Sequence, residues 1–131
     1  MEFALAVHDR QLAEHGGREG VRDMNALESA LARPQNLLSY GRNVTLFDMA
    51  AAYAAGIAKN HPFVDGNKRT SLVVCMSFLE LNGFDSDTDE ESIAIVFEEL
   101  ASGKLSEKAL AAWLKQHAFG IKKEPRGSKK R

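Results

Sequence analysis

The amino-acid sequence predicts a single all-α domain of about six helices. Three observations predict it. Apolar residues recur at helical spacing along most of the chain, the breaks fall at Gly and X-Pro positions, and no stretch shows the apolar/polar alternation of a half-buried strand. The length, 131 residues, is that of one domain able to bury its own core. Hydrophobic residues make up 44% and charged residues 27%, the balance of an ordinary globular protein.

The first helix is read over residues 3–15, FALAVHDRQLAEH, where Leu5, Val7, Leu12 and Ala13 lie near helical spacing and Gly16-Gly17 stop the run. Residues 25–33, NALESALAR, follow candidate caps at Asp23 and Asn25 and end before Pro34, which disfavours a helical residue ahead of it. The next stretch, 36–44 (NLLSYGRNV), is the one place where a short hairpin fits, with Gly41 at its turn. Residues 46–60 are rich in alanine, the best helix former and small enough for close packing. Thr45 with Asp48 resembles a capping box in front of them. This is the expected central buried helix, and it must end near Asn60 because His61 precedes Pro62.

A second long helix is predicted from about Asn67 to Asn82, with Gly83 as its stop. Its run SLVVCMSFLEL is apolar on most faces and should be buried. DSDTDEE, residues 85–91, has five acids in seven. Capping of the next helix, with Thr88 and Glu91 as a box, explains it better than cation binding, because the alternating-ligand pattern of an EF-hand loop is not met. Helices over 90–101 and 107–117 complete the set, with breaks at Ser102-Gly103 and Phe119-Gly120. Residues 1–120 form the expected domain.

Charge and cysteine usage exclude several function classes. The formal net charge is −1, so the whole molecule is no general nucleic-acid binder. The last eleven residues, IKKEPRGSKKR, hold six Lys or Arg against one Glu, a net +5, which leaves −6 on the other 120. Residues 121–131 therefore read as a solvated, disordered basic extension, without aromatic residues for base stacking. Cys75 is the lone cysteine, so no disulfide framework or cysteine zinc site forms within the chain. Apolar stretches break well short of about 18–20 residues, so no membrane span is expected. MEFALAVHDR has an early acid and no basic n-region, and the expected location is the cytoplasm.

The chemistry concentrates in HPFVDGNKRT, residues 61–70. One helix ends there, the chain turns through Pro62 to Gly66, and a buried helix starts. The backbone N–H groups of Gly66, Asn67, Lys68 and Arg69 then lie at a helix N-terminus, where unpaired amides and the dipole favour an anion. Lys68 adds a compact charge and Arg69 a fork able to grip phosphate in two places. Asp65 would repel a bare phosphate but suits Mg²⁺, which bridges carboxylate to phosphate oxygens. His61, titrating near pH ~6.5 when unperturbed, can accept a proton at neutral pH. Together they suit transfer of a phosphate group to a hydroxyl. Phe63 should anchor the loop in the core. Taken singly, each residue has a bland explanation: a structural His, an Asp-Gly turn, a solvated Lys-Arg pair. Five such features in the right order are a much less common accident.

HPFVDGNKR resembles the Fic/Doc (Fido) family signature, H-x-F-x-[D/E]-G-N-[G/K]-R. The likeness extends to VHDRQLAEHGGREGVRD near the N-terminus, the Ala-rich helix and the helix after the motif, over roughly residues 1–118. Fic adenylyltransferases usually carry Gly at the position of Lys68 and a second Arg at that of Leu72. The Doc branch resembles this sequence at both, while Gly66 is the Fic-like residue. The resemblance implies a Doc-type toxin that transfers the γ-phosphate of ATP to a Ser or Thr hydroxyl of elongation factor Tu. By it, His61 takes the hydroxyl proton and Asp65 holds Mg²⁺. Gly66 and Asn67 shape the anion cradle, Asn67, Lys68 and Arg69 bind the phosphates, and Tyr40 and Arg42 lie where the family has a flap that docks the target. The inhibitory motif [S/T]-x-x-x-E-[G/N] of many Fic proteins is absent from the sequence. Inhibition is then expected in trans, from a Phd-type antitoxin. His8, His15 and His117 fall outside the motif and read as structural. The alternatives are a Fic-type AMP transferase, a catalytically silent Fido binding module, and a helical nucleic-acid binder resting on the basic tail.

Overall fold

The computed structural model describes residues 1–41 and 43–120. Six helices are present there: α1 (Glu2–His15), α2 (Met24–Tyr40), α3 (Leu46–Asn60), α4 (Asn67–Leu81), α5 (Glu90–Ser102) and α6 (Glu107–His117). Two three-residue strands, β1 (Phe84–Ser86) and β2 (Ala118–Gly120), pair antiparallel with Phe84 opposite Gly120 and Ser86 opposite Ala118. The fold is all-α apart from this small sheet.

α3 is the centre. Nine of its residues are buried, seven of them between Met49 and Gly56. Its N-terminus is closed by the reciprocal Thr45/Asp48 box: the Thr45 hydroxyl accepts from the Asp48 N–H at 3.1 Å, and the Asp48 carboxylate accepts from the Thr45 N–H at 2.9 Å. Ala50, Ala54 and Ala58 face Cys75 and Leu79 of α4, Phe97 and Leu100 of α5, and Leu110 and Leu114 of α6. Ile57 turns the other way, toward Ala4 and Val7 of α1, Leu27 and Ala30 of α2, Phe63 and Val74. Burial of Cys75 pushes its thiol pKa up, so it is an inert core residue.

Three local expectations are corrected. α2 does not stop before Pro34 but runs through it to Tyr40, with Pro34 buried. Its apolar stripe (Leu27, Ala30, Leu31, Pro34, Leu37) continues at helical spacing across the proline, and burial of that face outweighs the lost hydrogen bond. The proline lacks the N–H that would reach the Ala30 carbonyl, and at that turn Gly56 of α3 packs against Ala30. A Cβ on Gly56 would stand 3.0 Å from Ala30 Cα. Because residues 36–40 belong to α2, no hairpin forms over the described part of 36–44. The cap of α5 is Asp89 rather than Thr88, with the Asp89 carboxylate accepting from the Ser92 N–H at 3.0 Å and from its hydroxyl at 2.8 Å. Those bonds lower the Asp89 pKa. The basic segment 121–131 and Arg42 lie outside the described residues. Among those described, no helix is long and apolar enough to cross a membrane.

Candidate active site

Residues 61–66 link the C-terminus of α3 to the N-terminus of α4. His61 closes α3 in the left-handed region, φ 50° and ψ 55°, an uncommon state for a residue with a Cβ. The Arg22 side chain holds it there, donating from Nε to the His61 carbonyl at 2.6 Å and from Nη2 to the Asn60 carbonyl at 2.8 Å. A guanidinium on the last carbonyls also opposes the negative end of the α3 dipole. The Arg22 and Asp23 amides both donate to the Pro62 carbonyl, and the Val64 amide to the Gly20 carbonyl. The loop is thus sewn to the segment that follows α1.

Phe63 is the anchor, 1% exposed and bridged to Val21. Its ring stacks on that of His8 with centroids 3.8 Å apart and planes 7° apart. Asn67, the first residue of α4, is buried and turns its amide back into the loop. Its Oδ1 accepts from the Phe63 N–H and its Nδ2 donates to the Phe63 carbonyl, both at 2.9 Å. The same Nδ2 lies 3.5 Å from His61 Nδ1, close enough to steer the ring and too long to commit its lone pair. The imidazole faces solvent.

Asp65 is exposed, and each of its oxygens has one backbone donor: Oδ1 the Gly66 N–H at 3.0 Å and Oδ2 the Arg18 N–H at 3.2 Å. The Arg18 bond first, then the Gly66 bond, lowers its pKa, so the carboxylate stays ionised with lone pairs to spare. Gly17 makes that approach feasible, since a Cβ there would stand 3.1 Å from Asp65 Oδ2. Gly66 precedes α4 with φ 78°, and a Cβ on it would meet nothing closer than 3.6 Å. Glycine is favoured here by the backbone angle rather than by lack of room.

His61, Asp65, Gly66, Asn67, Lys68 and Arg69 share one open depression of about 510 Å³. The first amides of α4 have no intrahelical acceptor, and the Gly66 amide is already taken by Asp65. The Lys68 ammonium pairs with Glu98 of α5. Lys68 and Arg69 also line an adjoining cleft of about 540 Å³ between α1, α4 and α5, together with Leu72, Val73, Ile93 and Phe97. Tyr40 is 78% exposed on the last turn of α2 and does not line the depression. No short spacing in the sequence links Arg22, the Arg18 amide or Glu98 to the motif, and the structural role expected of His8 from the sequence does not show its link to the site. His15 lines the adjoining cleft, and His117 bonds through Nδ1 to the Trp113 carbonyl.

The Fic/DOC family profile matches residues 1–79, a span that holds α1, its loop, the motif and most of α4. The chain belongs to the Fic/Doc family. Two relatives agree with this membership. Protein kinase doc of Escherichia phage P1 is 31% identical over 115 residues, 88% of this chain and 90% of the relative. Toxin Doc of Mycolicibacterium smegmatis is 38% identical over 103 residues, 76% of this chain and 78% of the relative. The matched span contains the α3–α4 link and the residues that brace it from the N-terminal side.

Proposed function

We propose that this protein is a Doc-type toxin of a toxin–antitoxin module, a transferase that moves the γ-phosphate of ATP to a Ser or Thr hydroxyl of elongation factor Tu in the cytoplasm. One observation carries the proposal: a solvent-facing imidazole, an ionised carboxylate and the open end of a helix meet on one short, braced loop. The relatives' names, a kinase and a toxin, point the same way.

In this reading His61 accepts the proton of the target hydroxyl as its oxygen attacks the γ-phosphorus. The bond from that phosphorus to the β–γ bridging oxygen breaks, and ADP leaves. The free amides at the start of α4, with Lys68 and Arg69, hold the phosphates. Asn67 acts chiefly by shaping the loop, since its side-chain amide is already bonded to Phe63.

Mg²⁺ fits these residues in a limited sense. Among the described residues no group of three or more His, Cys, Asp or Glu could cage an ion. Asp65 is a lone, ionised, exposed carboxylate, the donor Mg²⁺ takes when phosphates and water supply its other ligands. When bound, the ion would neutralise charge on the phosphates that Asp65 alone would repel.

Lys68 and Leu72 favour γ-phosphate over AMP transfer, because the Fic branch has Gly and Arg there. The Gly66 backbone angle accounts for that glycine without reference to nucleotide orientation. Since the sequence lacks the inhibitory motif, restraint falls to a Phd-type antitoxin in trans. Tyr40 and Arg42 remain the candidates for target docking.

Intact-mass measurement of elongation factor Tu, incubated with the protein, ATP and Mg²⁺, tests the proposal with His61→Ala as control. A gain of about 80 Da that the control lacks supports it, and a gain of about 329 Da would replace it with AMP transfer.

A further inference from the structure

His8 lies 57 positions before Asp65 in the chain, yet it is 3% exposed and directly under the loop. Its Nε2 is 2.7 Å from the Asp65 carbonyl oxygen. A carbonyl can only accept, so Nε2 carries the hydrogen. That carbonyl belongs to the peptide joining Asp65 to Gly66. A trans peptide is planar, with C=O and N–H on opposite edges. The opposite edge here is the Gly66 N–H, which donates to Asp65 Oδ1 at 3.0 Å. Fixing the carbonyl therefore fixes the plane and aims the amide that holds the carboxylate. The same plane leads into the first turn of α4. The ring is held in place, because Phe63 stacks on it and its Nε2 is bonded to the Asp65 carbonyl.

We infer that His8 is a positioning residue for the Asp65 carboxylate, acting through the Asp65–Gly66 peptide plane rather than by touching substrate. In that role it does what a bonded neighbour does for a metal ligand, where removal typically lowers metal affinity or activity 10–100-fold. The functional consequence rests on the phosphotransfer reading above; the geometric claim does not.

Two substitutions separate the ring from its donor. His8→Phe keeps a flat ring against Phe63 and removes the N–H. His8→Gln removes the ring and keeps an amide donor at similar reach. The primary readout is amide hydrogen exchange in the protein without nucleotide or metal, with Ala54 as the core reference. His8→Phe is expected to speed exchange at Gly66 by about tenfold or more while Ala54 stays protected, and His8→Gln to remain within about threefold of the unsubstituted protein. In the transfer assay His8→Phe should lower kcat about 10–100-fold with a smaller change in KM for the protein target, and His8→Gln should restore most of it. Unchanged Gly66 exchange in His8→Phe would overturn the inference. So would equal losses in both variants that track Tm, which would reduce His8 to packing. Should the unsubstituted protein transfer no phosphate, the phosphotransfer reading fails, and the exchange data still decide the role of His8.

Discussion

Asn67→Ala removes the side chain that closes the loop on itself. Phe63 is 1% exposed, and its N–H and C=O have the Asn67 amide as their hydrogen-bond partner, at 2.9 Å each. Alanine leaves both backbone groups without that partner. A buried polar group that loses its partner costs about 1–3 kcal/mol, so the two together cost about 2–6 kcal/mol. The neighbouring Val64 and Asp65 are exposed, and water can reach part of the gap, which places the expected loss in the lower half, about 2–4 kcal/mol. For a domain of this size that lowers Tm by about 10 °C. Asn67→Asp keeps an acceptor for the Phe63 N–H but sets a second oxygen against the Phe63 carbonyl, so it should recover less than half of the loss. Urea unfolding followed by far-ultraviolet circular dichroism gives both values, with an unchanged m-value showing that the denatured state is the same. A loss below about 1 kcal/mol for Asn67→Ala would refute the reasoning, because it would mean the two backbone groups are satisfied without the side chain.

Other positions give sharper local tests. Gly56→Ala should gain about 1 kcal/mol of helix propensity. Its Cβ would stand 3.0 Å from the Ala30 backbone, and overpacking at about 1–3 kcal/mol should leave the variant less stable by about 1 kcal/mol; a rise in Tm would mean α2 yields freely. Asp65 has a folded-state pKa below its ordinary value of 3.8, so its tether to Arg18 and Gly66 is fully stabilising above that value and is lost as pH falls through the folded one. An NMR titration of the Gly66 amide should therefore show a midpoint below 3.8, and a midpoint at or above it contradicts the two bonds. Glu98→Gln frees the Lys68 ammonium at almost no change in stability, because a surface pair contributes only about 0–1 kcal/mol. On the proposed function, binding of ATP at low salt, read by isothermal calorimetry, should tighten about three- to tenfold, with the gain shrinking in high salt; equal affinity would remove Lys68 from the proposed phosphate site.

The parts of this fold that were legible in the sequence are those where local chemistry and burial agree. α3 begins at Thr45 because a box and an alanine run coincide there, and it ends where His61 meets Pro62. The motif loop was equally plain, since its Asp, Gly and Asn each have a backbone task within four residues. The exceptions are set at long range. α2 passes Pro34 because its far side is covered by α3, which a rule about single residues does not see. β1 and β2 are three residues each, too short to show a period, and pair across 36 positions of sequence at Phe84–Gly120 only because α5 and α6 return the chain to α4. His8, Arg22 and Glu98 reach the site from three other elements, and their residue types alone carry no sign of it.

Under the proposed function, the left-handed His61 turns the site into a trade between durability and work. A side chain in that region costs on the order of 1 kcal/mol that glycine would not incur, and the residue stands before a proline as well. Any drift toward a more robust molecule at this position runs through His61→Gly, which should raise Tm and leave the protein unable to accept a proton there. The histidine is thus held against the thermodynamic preference of its own backbone, with Arg22 supplying the restraint. Selection for endurance alone would erase it; on the proposed function, selection for turnover would keep it.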